Sequence, residues 1–384
     1  MSENRHVEIA GAGFAGLTAA AAFARRGWSV RVHERADELR TAGAGIYIYE
    51  NGLRIFETLG IYEMVIRDAY PAYKREMRGD NNKVLLRISW ENGGPGRVFS
   101  IVRQRCIDAL AHAARQAGAE IVTSSEVVGV SPDGEIEIAG GHVHKADLVI
   151  VADGVNSRLR DSLDLIAERR TLVDGAIRML VERTEEERIS EEGRKYIEMW
   201  SGTHRILYTP CSDSELYLAF TMLNDDAEAT HLPLNKDAWK RWFPQMEGVI
   251  ERVCDQGHWD AFQYIRLRKW SKGCVAVIGD AAHALPPNIG QGGGCAMMNA
   301  LSLATILSEY TDLEAGLADW ERRERHVTEH AQKISLWISI PTTWHPTWRA
   351  WAFTLAGHSA WFAGQRNRTA LHVPTGTTDT NLYK

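Results

Sequence analysis

The chain has 384 residues, 45% hydrophobic and 24% charged, a globular composition with enough material for more than one core. Lys and Arg number 44 against 50 Asp and Glu, a net charge of -6, which argues against a nucleic-acid ligand. The five cysteines, Cys106, Cys211, Cys254, Cys274 and Cys295, form no CxxC pair and no cluster with histidine, so they read as buried small hydrophobes in a reducing cytoplasm, and no metal is expected.

A glycine motif begins almost at the first residue, and the Ala-rich segment after it is interrupted by Arg25 and Arg26, so no signal peptide is expected. No uninterrupted apolar run reaches membrane-spanning length.

Val7 to Ala10 predicts a strand, Gly11-Ala12-Gly13-Phe14-Ala15-Gly16 fits GxGxxG, Leu17 to Arg26 predicts a helix, and Ser29 to His33 a second strand ending at Glu34 and Arg35. Such glycines allow a tight turn and bring a pyrophosphate close to a helix N-terminus, while the acid about 20 residues on accepts from ribose hydroxyls. Arg40 and the run Gly43-Ala44-Gly45-Ile46-Tyr47 follow, readable as a β-turn, then a helix from about Asn51 to Leu59.

Ala72 to Arg78 and Val84 to Trp90 read as hairpin strands. Arg103 opens a helix that runs to Ala117. Strands at Glu120 to Thr123, Val127 to Ser131 and Glu135 to Ala139 lead to the apolar run Ala146 to Val151 and the sequence Ala152-Asp153-Gly154. Arg158 and Arg160 on the next helix read as structural.

From Asp174 the pattern alternates, predicting antiparallel strands at 176–181, 197–200, 204–209 and 215–220, interrupted by a charged helix from Glu185 to Lys195. Period two places Arg178 with Leu180 on one face, Arg205 with Leu207, and Tyr217 with Ala219. An arginine on such a face is either on the wet side of the sheet or aimed into a cavity. A helix over Trp239 to Val253 and a strand over Gln263 to Trp270 return the chain to Val275 to Ile278.

Next stands Gly279-Asp280-Ala281-Ala282-His283-Ala284-Leu285-Pro286-Pro287-Asn288-Ile289-Gly290-Gln291-Gly292-Gly293-Gly294, opening a helix at Cys295 to Leu307. An acid at a strand tip, then glycines opening a helix, presents backbone N–H groups to an electron-rich ligand. His283 sits inside this element and reads as structural. The tail is helical to about Lys333, and its tryptophans Trp337, Trp344, Trp348, Trp351 and Trp361 read as a helical pack over the preceding sheet or as a dimer contact.

The three glycine motifs, in this order and at these separations, resemble the single-component FAD-dependent aromatic hydroxylases typified by p-hydroxybenzoate hydroxylase. Within that family the strings GAGIY, IRMLV, RILYTPCSDSELYL and GDAAHAL are similar to members that oxygenate pyridine carboxylic acids. The resemblance implies an α/β fold with a Rossmann-like FAD-binding domain of the GR2 type over 1–70, 98–170 and 268–335. It also implies an antiparallel-sheet substrate-binding domain over 71–97 and 171–267, and a C-terminal helical segment over 336–384.

By the same resemblance, FAD is held by Gly11, Gly13, Ala15, Gly16, Glu34, Arg35, Arg40, Gly45, Arg103, Asp153, Gly154, Gly279, Asp280, Gly290, Gln291, Gly292 and Gly293. Substrate is lined by Tyr47, Tyr73, Arg178, Arg205 and Tyr217, with Tyr217, Arg205 and Pro287 at the reacting ring. The implied reaction is hydroxylation of an aromatic or pyridine carboxylic acid by O2 and NADH or NADPH, through a C4a-hydroperoxyflavin, by a cytoplasmic monomer or homodimer. Alternatives are a phenol-type hydroxylase of the family or a flavin oxidoreductase that never activates oxygen.

Overall fold

The computed structural model describes residues 5–39, 44–91, 94–254 and 257–377. Its first layer is a six-stranded sheet in the order Ser271–Lys272, Val275–Val277, Leu148–Val151, His6–Ala10, Ser29–His33, Glu120–Val122. All its pairings are parallel except that of Ser271–Lys272. A parallel sheet is covered on both faces, which is why its strands are apolar runs rather than alternations; Leu148 to Val151 are all buried. Helix Phe14–Ala24 packs against both Arg103–Gln116 and Gly292–Leu307. Six of its residues are alanines with no side-chain bulk to hold the neighbouring helices away.

The second layer is a seven-stranded sheet in the order His258–Leu267, Ile166–Glu182, Glu215–Leu223, His204–Pro210, Tyr196–Ser201, Lys74–Arg78, Val84–Ser89. Its pairings are antiparallel except between Tyr196–Ser201 and Lys74–Arg78. One face builds a separate core around Phe220, Trp239 and Phe243, whose rings meet edge-on and stacked at 4.9 and 5.9 Å. A three-stranded sheet, Gly45–Tyr49, Val98–Val102 and Tyr70–Pro71, carries the remaining wall of the site.

Four elements differ from expectation. The strand placed from 176 begins at Ile166, because its pairing with His258–Leu267 continues through a bulge between Thr171 and Gly175. The charged helix shrinks to Glu185–Ile189, nucleated by a capping box of Thr184 and Glu187, followed by a separate 3₁₀ turn at Glu192–Arg194. The helix placed over 239–253 is split into Lys236–Trp242 and Glu247–Glu251 around Pro244, which lacks the N–H that a continuous helix needs. A strand His142–Lys145 completes a meander with Val127–Ser131 and Glu135–Ile138.

After the long helix Leu313–Ser339, helices Pro346–His358 and Ala360–Asn367 lie beside the outer strands of the seven-stranded sheet. Phe353 packs on Trp200, and the buried guanidinium of Arg349 reaches Asp80 at 3.2 Å and the carbonyl of Gly202. The helices thus pack over the sheet as expected, but the opposite face is bare, with Trp348 69% and Trp351 63% exposed, so these tryptophans are not part of that pack. Cys254 is likewise exposed, while Cys106, Cys211 and Cys295 are buried. No helix among the described residues is long and apolar enough to cross a membrane.

Candidate active site

The cleft begins at the tip of His6–Ala10. Gly11 holds φ +103°, and a Cβ there would stand 2.5 Å from the carbonyl oxygen of Ala152. A Cβ on Gly16 would stand 1.9 Å from the carbonyl oxygen of Gly11, so the turn closes only on hydrogen. Gly13 and Gly154 instead border open space, the first at the N-terminus of helix Phe14–Ala24. Ala15 is buried in that first turn. Glu34 accepts from the N–H groups of Ala12 and Ala36, both at 3.0 Å, bracing the turn across from Gly11, and Arg35 is exposed beside it.

Arg103, at the start of its helix, lies over the ring of Phe14 at 5.4 Å. Asp153 and Asp280 are accessible in the cleft. Protein surrounds Asp280 on most sides; that enclosure raises its carboxyl pKa, and the charges of Arg103 and Arg178 oppose the rise. Gly279 precedes Asp280 at the strand tip, and Gly292 and Gly293 form the first turn of the helix that follows. Gln291 is buried; its Oε1 accepts from Asn51 at 2.8 Å, and its Nε2 has no hydrogen-bond partner among the described residues. Arg40 lies outside the described residues.

These features fit FAD. Open-sided glycines at two helix or strand ends suit a pyrophosphate, the two accessible carboxylates suit sugar and ribityl hydroxyls, and the idle amide of Gln291 can donate to a flavin ring oxygen.

Beside the cleft lies a chamber walled by the seven-stranded sheet, strand Gly45–Tyr49 and the glycine-rich loop. Register builds it: Glu198 pairs with Leu207, Arg178 with Ala219 and Ala176 with Thr221, so alternate residues of four strands share one face. Arg178, Arg205, Tyr217 and Tyr47 all line it, as do Pro287 and Gly290 from the glycine-rich loop. A Cβ on Gly45 would stand 2.6 Å from the Tyr217 ring, so this glycine lets strand Gly45–Tyr49 close against the seven-stranded sheet.

Tyr73 is a correction. The strand begins at Lys74 and the residue directed inward is Arg75, leaving the Tyr73 hydroxyl outside on Glu91 at 2.9 Å, with Lys74 and Arg194 over its ring.

The chamber also holds groups that pattern alone did not single out. Glu198, buried, receives Arg75 at 3.0 Å and Arg205 at 3.3 Å. Burial would raise its pKa, but the charges of Arg205 and Arg75 prevail and hold the carboxyl below its ordinary range. Arg205 lies over Trp200 at 5.0 Å and donates to Asn288 Oδ1 at 3.3 Å. Asn288 in turn donates to Ser339 at 2.7 Å and to the Ser335 carbonyl at 3.1 Å, tying the loop to the long helix. The arginine is thus buried in the site, not on the wet side of the sheet. The signal available in the sequence was a lone carboxylate in the aromatic run Tyr196-Ile197-Glu198-Met199-Trp200.

Arg178 is half-buried, 3.5 Å from Asp260 and over the ring of Phe262. Its hydrogen bond to Tyr217 and its charge lower that phenol's pKa, yet burial outweighs both and leaves it raised. Burial likewise lifts Tyr47, whose hydroxyl meets Thr209. Both phenols therefore stay protonated at neutral pH. His283 is buried away from the chamber, its Nε2 on Asn299 at 2.8 Å, and burial lowers its pKa to about 4.

Comparison with known proteins agrees with this geometry. Residues 4–335 match the family model described as FAD binding domain. The chain is 42% identical over 332 residues to 2-heptyl-3-hydroxy-4(1H)-quinolone synthase of Mycobacteroides abscessus, covering 86% of this chain and 88% of that protein. It is 27% identical over 368 residues to 6-hydroxynicotinate 3-monooxygenase of Bordetella bronchiseptica, covering 91% and 95%. Among solved structures, the tetrameric form of 2-methyl-3-hydroxypyridine-5-carboxylic acid oxygenase superposes with a TM-score of 0.87 at 34% identity, covering 98% of this chain and 99% of that one. A nucleotide cleft of glycine turns opening onto a chamber of arginines and tyrosines, on a chain matched this fully, belongs to the FAD binding domain family, that of the single-component FAD-dependent aromatic monooxygenases.

Proposed function

We propose that the protein hydroxylates a 4-quinolone ring bearing an alkyl group, at the carbon between that group and the ring oxygen. The balance is one substrate C–H, O2, NAD(P)H and a proton giving C–OH, water and NAD(P)+. The observation that carries this reading is the charge state of the chamber. Two of its three arginines are engaged by Glu198, so it suits a polar, uncharged ring more than a free carboxylate. Kinship with the quinolone synthase at 42% identity supports the same choice.

Bound FAD would supply the redox and oxygen chemistry. The chain's own groups would orient the ring. Tyr217 accepts from Arg178, so its O–H is available to donate to the ring oxygen, and Tyr47 can do likewise from the facing strand. The Arg178 guanidinium would stabilise negative charge gathering on that oxygen, which enriches the neighbouring carbon for attack. We assign Arg205 a positioning role, since it joins Glu198 to the Asn288 loop. Pro287 and that loop would shield the reacting carbon from water.

A second reading, hydroxylation of a pyridine or aromatic carboxylic acid, is favoured by Arg178, whose 3.5 Å contact with Asp260 leaves its fork available to a carboxylate. The test gives FAD-loaded protein 2-heptyl-4-quinolone, 6-hydroxynicotinate and a hydroxybenzoate in an oxygen electrode with NADH or NADPH. Quinolone-dependent oxygen uptake, with a product one oxygen atom heavier, is expected. Nicotinamide oxidation without substrate-dependent oxygen uptake would overturn the monooxygenase reading, and turnover of the acids alone would replace the quinolone.

A further inference from the structure

A second cavity adjoins the chamber and shares Tyr49 and Arg75 with it. Its two ends differ in chemistry. At the junction, Arg366 from helix Ala360–Asn367 senses the charges of Arg75 and Glu198 and the hydroxyls of Tyr47 and Tyr49; burial and the nearby Arg75 lower its pKa to about 10. Beyond the junction the walls are mostly apolar, with Ile88 on the edge strand, Trp90, Pro95, Val98, Ala370 and Ile289 from the glycine-rich loop, and Asn367 as the polar exception. Trp90 is a fixed wall, since its indole N–H donates to the Gly96 carbonyl at 3.1 Å and its backbone N–H to that of Tyr73 at 3.0 Å.

We infer that this passage is the subsite for the substrate's alkyl chain, with Ile88 and Trp90 setting the chain length accepted. The inference rests on the quinolone reading and adds to it where the chain goes. A ring held between Tyr47, Tyr217 and Arg178 adjoins this cavity, and a straight chain of methylenes entering it would meet the side chains of Ile88, Trp90, Pro95, Val98 and Ile289.

The test compares 2-methyl- and 2-heptyl-4-quinolone by kcat/KM in the FAD-loaded enzyme. The parent enzyme is expected to favour the heptyl compound by roughly tenfold or more, since each buried methylene adds to binding. Ile88→Trp, on a half-exposed edge strand, should cut the heptyl-to-methyl ratio by about the same factor, whereas a general loss of folding would leave the ratio unchanged. Ile88→Ala should move the preference toward a nonyl chain. Equal kcat/KM for the two homologues, or a ratio unmoved by both substitutions, overturns the subsite while leaving the quinolone reading in place. Turnover of no quinolone of any chain length overturns both.

Discussion

The two sheets hold their halves of the site by different means. The six-stranded sheet shapes its cleft with backbone: the turn at Gly11 to Gly16 tolerates no Cβ at either end, and its ligand-facing surface is N–H groups and open glycines. The seven-stranded sheet shapes its chamber with charged side chains, Arg75 and Arg205 on Glu198, all withdrawn from solvent. A backbone site fails sterically and completely. A charged site fails by degrees, according to which partner is left without its counterion.

The sharpest way to break this contrast is Gly16→Ala. Its methyl would meet the Gly11 carbonyl at 1.9 Å, in backbone that has nowhere to move. The expected outcome is protein purified without flavin absorbance and destabilised by about 3 kcal/mol; a yellow, normally stable variant would refute the steric account.

Glu198→Ala strands the buried guanidinium of Arg205 and the partly buried one of Arg75, and should cost about 3–5 kcal/mol in denaturant unfolding, with Glu198→Gln costing less because the amide oxygen still accepts. Flavin content of the folded fraction should be unchanged. Equal losses of flavin and stability would mean the two halves are not separable in this way.

A smaller effect, on the nucleotide side, comes from His283. Its folded pKa, about 4, lies below the ordinary 6.5, so the unfolded chain takes up its proton first as pH falls. The contribution is fully present above about pH 6.5 and is lost progressively toward pH 4, amounting to about 3 kcal/mol at most. His283→Gln should flatten that part of the stability profile against pH; an unaltered slope would show that other groups dominate it.

The same contrast explains what the sequence disclosed. Backbone sites need glycine at fixed spacing, so Gly11, Gly13, Gly16, Gly154 and Gly279 could be read directly as strand tips and turns, and the strand at Ser29–His33 was placed residue for residue. Side-chain networks leave no such spacing. Arg205 and Tyr217 were visible as members of alternating strands, but period two cannot say which face is wet, and only pairing across strands brings Glu198 between Arg75 and Arg205. Tyr73 was misplaced because the strand begins only at Lys74, and strand alternation does not set the direction of a side chain that precedes the strand. Pro244 was a local stop signal that a reading by apolar periodicity passed over.

The 17-residue strand Ile166–Glu182 and its partner His258–Leu267 pair from Ile166 opposite Leu267 to Arg178 opposite His258, with a bulge between Thr171 and Gly175. One end abuts the flavin layer and the other carries a chamber arginine, so this ribbon works as a girder between the two halves. Hinged opening of one half from the other would have to bend both strands of that ladder together. Admission of substrate and exit of product are thereby left to small displacements of side chains and loops, and thermal melting of the two cores should coincide in one transition.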